Sequence, residues 1–190
     1  MKKNVLISVA FMLFFAVLAG VAYRAESADF AREYMVKAAI SLNLARFTEW
    51  PEGALGADNL NINLCVFGNK NMQQAFAQME KKPLGKRSLH VIQMHDPVHL
   101  DQCNMIYVSE LEETALIQVL SLIEGQPALT IGERDDFLER GGLVNLALED
   151  GKIHIQVNLE AVTRSGIKIS SRVLALTSII NVKNTGNDEE

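Results

Sequence analysis

An Asp-Gly pair at positions 150 and 151, set between two runs of alternating apolar residues, constrains this chain more than any other feature. A two-residue type I′ turn needs positive φ at both central positions, and Asp-Gly accepts that geometry readily. With those two residues as the loop, Glu149 faces Lys152, Leu148 faces Ile153, Leu146 faces Ile155 and Val144 faces Val157. One face of the hairpin is then wholly apolar. The other pairs Ala147 with His154, Asn145 with Gln156 and Leu143 with Asn158, and is mostly polar. A slip of one residue would mix the two faces, so the register is firmly specified. A hairpin with one apolar side is not stable alone in water, and the rest of the chain must cover it.

The cover is legible as alternating helices and strands. Residues 29–47 read as a helix with an apolar stripe of Met35, Val36, Ala39, Ile40, Leu44 and Phe47, and with Glu33 and Lys37 paired on the wetter side. Pro51 disfavours helical geometry at Trp50 and stops the helix there, and residues 53–59 form a loop. A strand over 62–67, a weak helix over 72–79, a turn at 83–86 and a short strand over 89–92 follow. Residues 105–108 are a continuous apolar run, as expected of a buried parallel strand. Ser109 and Glu112 have the spacing of a capping box for a helix reaching Ile123, which Gly125 and Pro127 end. Residues 128–131 read as another buried strand and 135–140 as a short helix, with Gly141-Gly142 giving a sharp bend into the hairpin. Asn158 caps a helix over 159–164 that Gly166 stops, and Ser170 or Ser171 caps a last helix reaching Leu176. The pattern predicts a single-domain α/β layered sandwich over residues 29–182, with a mixed sheet, a C-terminal antiparallel hairpin and helices on both faces.

The two ends of the chain read differently. Lys2 and Lys3 precede an uncharged run from Val5 to Tyr23 that ends in small residues, the pattern of a secretory signal peptide cleaved after Ala22. A retained membrane anchor is the rival reading, because the run approaches the length needed to span a bilayer. Residues 183–190 are a polar tail of the composition that stays disordered. The chain carries a net charge of −5, and loss of residues 1–22 removes two lysines and no acid, leaving −7. That balance argues against a nucleic-acid binder, which needs a basic face.

Signatures of catalysis are missing. There is no G-x-S-x-G, G-x-G-x-x-G, phosphate loop or H-E-x-x-H, and no cofactor is expected. His95 and His99 lie near Asp96 and Asp101, but Pro97 between them breaks the helical spacing that a metal site would use, so no metal is expected. His90 belongs to a strand, and His154 lies on the polar face of the hairpin. Cys65 and Cys103 are an even count in an exported chain, read as a disulfide or else as two buried thiols. Trp50 is either an aromatic anchor for a partner or a core residue pinning the first helix to the sheet. Ser170, Ser171 and Arg172 are either an anion-binding helix start or simple caps.

Several segments resemble the YfiR family of periplasmic proteins. They are Val36-Lys37-Ala38-Ala39-Ile40 through Phe47-Thr48-Glu49-Trp50-Pro51, Cys65-Val66-Phe67-Gly68, and Cys103 ahead of Ile106-Tyr107-Val108-Ser109. The likeness continues through Leu129-Thr130-Ile131-Gly132, Phe137, Gly141-Gly142, Val157-Asn158, Ala161 and Ile169-Ser170-Ser171 with Leu174. It implies a periplasmic α/β domain with the two matched cysteines bridged. It also implies a regulator without catalysis, one that restrains an inner-membrane diguanylate cyclase or another sensor protein by binding its periplasmic part. An outer-membrane OmpA-like lipoprotein would sequester it, and a reducing periplasm or envelope stress would release the cyclase, raising cyclic di-GMP and biofilm formation. Some relatives carry a second cysteine pair. Any redox sensing in this chain would run through Cys65 and Cys103 alone.

Two other expectations stand beside that one. A small-molecule-binding module that tunes a membrane sensor would show a concave apolar pocket with convergent polar groups. A homodimer is also open.

Overall fold

A computed structural model describes residues 31–56 and 60–180. The expected signal peptide at 1–22 and the expected tail at 183–190 lie outside those residues, as do the first two positions of the expected helix and the end of the loop at 57–59. The first helix, α1, covers residues 31–46. It is followed by β1 (Thr48–Glu49), β2 (Asn61–Phe67), α2 (Lys70–Ala77), β3 (Pro83–Leu84), β4 (Arg87–Gln93) and a 3-10 turn at Leu100–Gln102. Then come β5 (Met105–Val108), α3 (Glu113–Ile123), β6 (Leu129–Gly132), β7 (Val144–Glu149) and β8 (Lys152–Asn158). The chain closes with α4 (Leu159–Ser165), β9 (Lys168–Ile169), α5 (Ser171–Leu174) and β10 (Ser178–Ile180).

The main sheet has eight strands in the order β10-β8-β7-β6-β5-β2-β4-β3. Strands β4, β2, β5, β6 and β7 run parallel, while β3 and β8 are antiparallel to their neighbours β4 and β7. The hairpin register is the expected one, with Val144↔Val157, Leu146↔Ile155, Leu148↔Ile153 and Glu149↔Lys152. Asp150 and Gly151 both take positive φ, 50° and 73°. Asn158 caps α4 by accepting from the Ala161 amide at 3.0 Å, and Gly166 closes that helix at φ 73°.

Strand alternation divides the core in two. Leu64, Val66, Met105, Tyr107, Leu129, Ile131, Val144, Leu146 and Val157 point to one face, packed with Ala38, Leu42 and Ala45 of α1 and Met72 and Phe76 of α2. Cys65, Phe67, Ile106 and Val108 point to the other, packed with Leu116, Val119, Leu120 and Ile123 of α3. Each face is thus covered by helix, as a sheet with a parallel centre requires. The polar face of the hairpin is less wet than expected, since Asn145 is fully buried and its Nδ2 donates to Gln156 Oε1 at 3.2 Å.

Several local expectations change. The buried face of α1 is Lys37, Ala38, Ser41, Leu42, Leu44 and Ala45, while Val36, Ala39 and Phe47 are exposed. Small residues at Ala38, Ser41 and Ala45 let the helix approach the sheet closely, and that outweighs the bulkier stripe one step round. The capping box does not form: Glu112 is the N-cap of α3 without a side-chain bond, and Ser109 sits buried instead. Residues 135–141 are successive turns rather than a helix. They wrap the Phe137 ring, which lies against the backbones of Gly132 and Gly142 so closely that a Cβ at either glycine would fall 2.4 or 2.2 Å from ring carbons. The last helix is only Ser171–Leu174 and buries nothing. The β1–β9 ladder and strand β10 are additions that two or three residues of sequence do not announce.

Candidate functional site

In open α/β sheets ligands gather at the carboxyl ends of the strands, where successive connections leave in opposite directions. Here that point lies between β2, whose chain continues through α2 to β4, and β5, whose chain continues through α3 to β6. The loops beginning there carry Gly68-Asn69 and Ser109-Glu110, with Glu133 just past β6.

Asn69 organises the first loop. Its Oδ1 caps α2 by accepting from the Met72 amide at 2.9 Å, while its Nδ2 donates to Glu110 Oε1 at 2.6 Å and to the Tyr34 hydroxyl at 3.1 Å. Glu110 holds φ at 53°, unusual for a residue with a side chain. Gly68 is needed beside it, because a Cβ there would lie 2.5 Å from Ser109 Oγ. That hydroxyl is buried without a hydrogen-bond partner.

α1 crosses this end of the sheet and brings in Lys37. Its ammonium donates to Glu133 Oε2 at 2.6 Å and pairs with Glu33 Oε1 at 2.5 Å, while Tyr107 donates its hydroxyl to Glu133 Oε1 at 2.6 Å. Burial disfavours the Lys37 charge, but the hydrogen bonds and fields of the two carboxylates outweigh it and leave its pKa above the ordinary lysine value. Burial first, and then the neighbouring Glu133, push the Tyr107 hydroxyl well above the usual tyrosine range. Lysine, tyrosine and carboxylates therefore satisfy one another, and the arrangement presents neither a free base nor an activated nucleophile. Among the described residues no group of three or more His, Cys, Asp or Glu could hold a metal ion. His90 lies 3.3 Å from Glu80, on the strand where the sequence placed it.

The residues singled out in sequence lie elsewhere. Cys65 and Cys103 form a disulfide with a Cα separation of 5.7 Å, joining β2 to the segment that enters β5. Trp50 is half-buried and donates Nε1–H to the Asn104 carbonyl at 3.3 Å. Asn104 in turn accepts from the Asn63 amide at 3.0 Å and donates to the Ala54 carbonyl at 3.4 Å, tying the loop after β1 and strand β2 to the segment that enters β5. Ser170 accepts from the Arg172 amide at 3.4 Å, and Ser171 and Arg172 are exposed. The β1–β9 ladder keeps these two places apart: Trp50 follows Glu49↔Lys168 at one end and Ser170 follows Thr48↔Ile169 at the other. The Lys37–Glu133–Tyr107 cluster was missed in sequence. Its signal was the small-residue face of α1, on which Lys37 shares the side of Ala38 and Ser41.

Two solved structures resemble the chain. A domain from Streptococcus pneumoniae, titled as the ABC domain in complex with L-Trp, aligns at 12% identity and a TM-score of 0.49 over 72% of this chain and 60% of its own. A conserved domain protein from Vibrio cholerae aligns at 13% identity and a TM-score of 0.46 over 63% and 55%. The chain thus spans little more than half the length of either. A family model described as YfiR/HmsC-like matches residues 34–178, most of the described chain. The chain belongs to this YfiR/HmsC-like family.

Proposed function

We propose that this protein is exported, loses residues 1–22, and acts without catalysis by binding and restraining the periplasmic sensor part of an inner-membrane signalling protein, a diguanylate cyclase. Family membership supports the regulatory reading. The observation that carries the contact mode is the outer side of α1 and the turn that ends it, where Val36 and Phe47 stay 42% and 44% exposed. Apolar side chains set out on a helix face are the usual anchors of a protein partner. Trp50, three residues beyond Phe47, is the proposed aromatic anchor at the edge of that surface. The exposed Ser171 and Arg172 would meet an anionic group on the partner. An OmpA-like lipoprotein of the outer membrane is the proposed competitor that draws the protein away.

Crosslinking in intact cells followed by purification of the tagged, exported chain tests this. Recovery of a membrane sensor with a periplasmic domain is expected, weakened by Phe47→Asp at unchanged melting temperature. A chain that recovers no membrane sensor under these conditions, or equal recovery with Phe47→Asp, would overturn the reading.

A further inference from the structure

Charge is shared unevenly along this chain. The whole carries a net −5, yet between Leu60 and His95 a single acid, Glu80, stands against Lys70, Lys81, Lys82, Lys86 and Arg87. Glu80 is committed elsewhere, accepting from the Val91 amide at 2.7 Å and lying 3.3 Å from His90.

The fold gathers most of these cations at one corner. Strands β3 and β4 pair through Pro83↔Ser88 and Leu84↔Arg87, a hairpin with Gly85-Lys86 at its tip. The Lys81 amide donates to the Leu89 carbonyl at 2.8 Å and the Leu89 amide to the Lys82 carbonyl at 2.9 Å, so both lysines lie alongside the start of β4. Arg46, at the end of α1, donates from Nη2 to the Pro83 carbonyl at 3.3 Å. Arg46, Lys81, Lys82 and Lys86 are all exposed. Because β2 and β4 run parallel, with Asn61↔Ser88, the corner lies at the amino end of these strands. The carboxyl end instead gathers Glu33, Glu110 and Glu133 around Lys37 and Asn69.

Lysine and proline on an edge strand also block pairing with another strand, but that role leaves Leu60 unused. The Ser88 amide donates to the Leu60 carbonyl at 2.9 Å, which sets Leu60 at the same corner with 74% of its surface exposed. An exposed leucine alone needs no explanation. One set among five cations matches a surface that settles on anionic lipid, where cations are drawn to the headgroups and an apolar side chain enters the acyl boundary.

We propose that this corner docks on a bilayer surface rich in anionic phospholipid, with Arg46, Lys81, Lys82, Lys86 and Arg87 over the headgroups and Leu60 inserted between them. The acidic carboxyl end of the sheet is then turned away to water, so the field of the molecule orients it on the plane. This inference does not rest on the function proposed above, and a membrane holding no sensor protein tests it alone.

The test is co-sedimentation of the chain without residues 1–22, which lie outside the described fold, with vesicles of phosphatidylglycerol or of phosphatidylcholine. Binding to phosphatidylglycerol is expected at about 0.05 M salt and release at about 0.5 M, with no binding to phosphatidylcholine. Lys82→Gln with Lys86→Gln should weaken binding about 25-fold at unchanged melting temperature. Lys70→Gln with Lys152→Gln removes the same charge outside the corner and should change it little. Leu60→Ser should weaken it about tenfold. No binding to the anionic vesicles, or an equal loss from the two lysine pairs, would overturn the proposal. Undiminished binding by Leu60→Ser would overturn it in favour of an acidic protein as the occupant.

Discussion

Lys37 of α1 donates a 2.6 Å hydrogen bond to Glu133, 96 residues further along the chain, in a pair that is almost fully buried on the lysine side. The bond joins the first helix to the end of β6, and Tyr107 holds the same carboxylate from β5. Glu133→Ala leaves a buried ammonium with Glu33 alone, and hydrogen bonds to charged groups of this kind are worth about 2 kcal/mol. Urea unfolding should show a loss of that order. Lys37→Met, which removes the charge and keeps the volume, should cost less, because replacing a buried ion by a well-packed apolar group is often near neutral.

The same pairs set the pH dependence. Lys37 and Tyr107 both have raised folded values, so their contribution is complete below the ordinary values of 10.5 and 10.0 and is lost as pH rises through the folded ones. Glu80 is held low, chiefly by the Val91 amide, and Asp136 chiefly by Arg140. Their contribution is present above the ordinary carboxylate values of 4.5 and 3.8 and fades as pH falls through the lowered ones. Melting temperature should therefore vary little between about pH 6 and pH 9, and fall on either side. A midpoint that drops steadily from pH 9 to pH 6 would show that other groups control stability.

The Cys65–Cys103 bond closes a loop with a sequence separation of 38. Loop-closure entropy for that length is about 4 kcal/mol. Replacing both cysteines with alanine should lower the melting temperature markedly, and the effect should match that of full reduction. The two sulfurs lie at buried positions, so reduction of the native protein should be slow compared with reduction of the unfolded chain.

Phe137 is wedged against Gly132 and Gly142, and a methyl group at position 142 would overlap its ring. Gly142→Ala should cost about 1–3 kcal/mol, the range for overpacking a filled site. Phe137→Leu in the same chain should recover part of that loss. If the two changes simply add, the ring is not what excludes the methyl group.

How much of this was readable in the sequence depends on how local the determinant is. The hairpin was legible to the residue because Asp150-Gly151 fixes its own turn and the alternation on each side fixes the register. The α4 caps were legible for the same reason, as Asn158 and Gly166 act within a few residues of themselves. The face of α1 was not, because Val36, Ile40 and Phe47 make as good an apolar stripe as the face that is buried, and the choice is made by close packing of Ala38, Ser41 and Ala45 on the sheet and by distant Glu133, which Lys37 reaches. Ser109 has capping-box spacing to Glu112, yet the close approach of Gly68 places its hydroxyl inside the sheet end instead. Short strands such as β1, β9 and β10 exist only through their partners, and no period of two can show in two or three residues. Of the candidate site, the disulfide could be named from two cysteines in a chain whose N-terminus reads as an export signal, while the lysine–carboxylate–tyrosine cluster needed the fold.

The central claim is that this protein restrains a membrane diguanylate cyclase from the periplasmic side. Cyclic di-GMP in cells lacking the protein measures it most directly, compared with cells given back either the full chain or one without residues 1–22. The nucleotide should rise when the protein is absent and return to its starting level only with the exported chain. An unchanged level on loss, or equal restoration by the chain kept in the cytosol, would contradict the account.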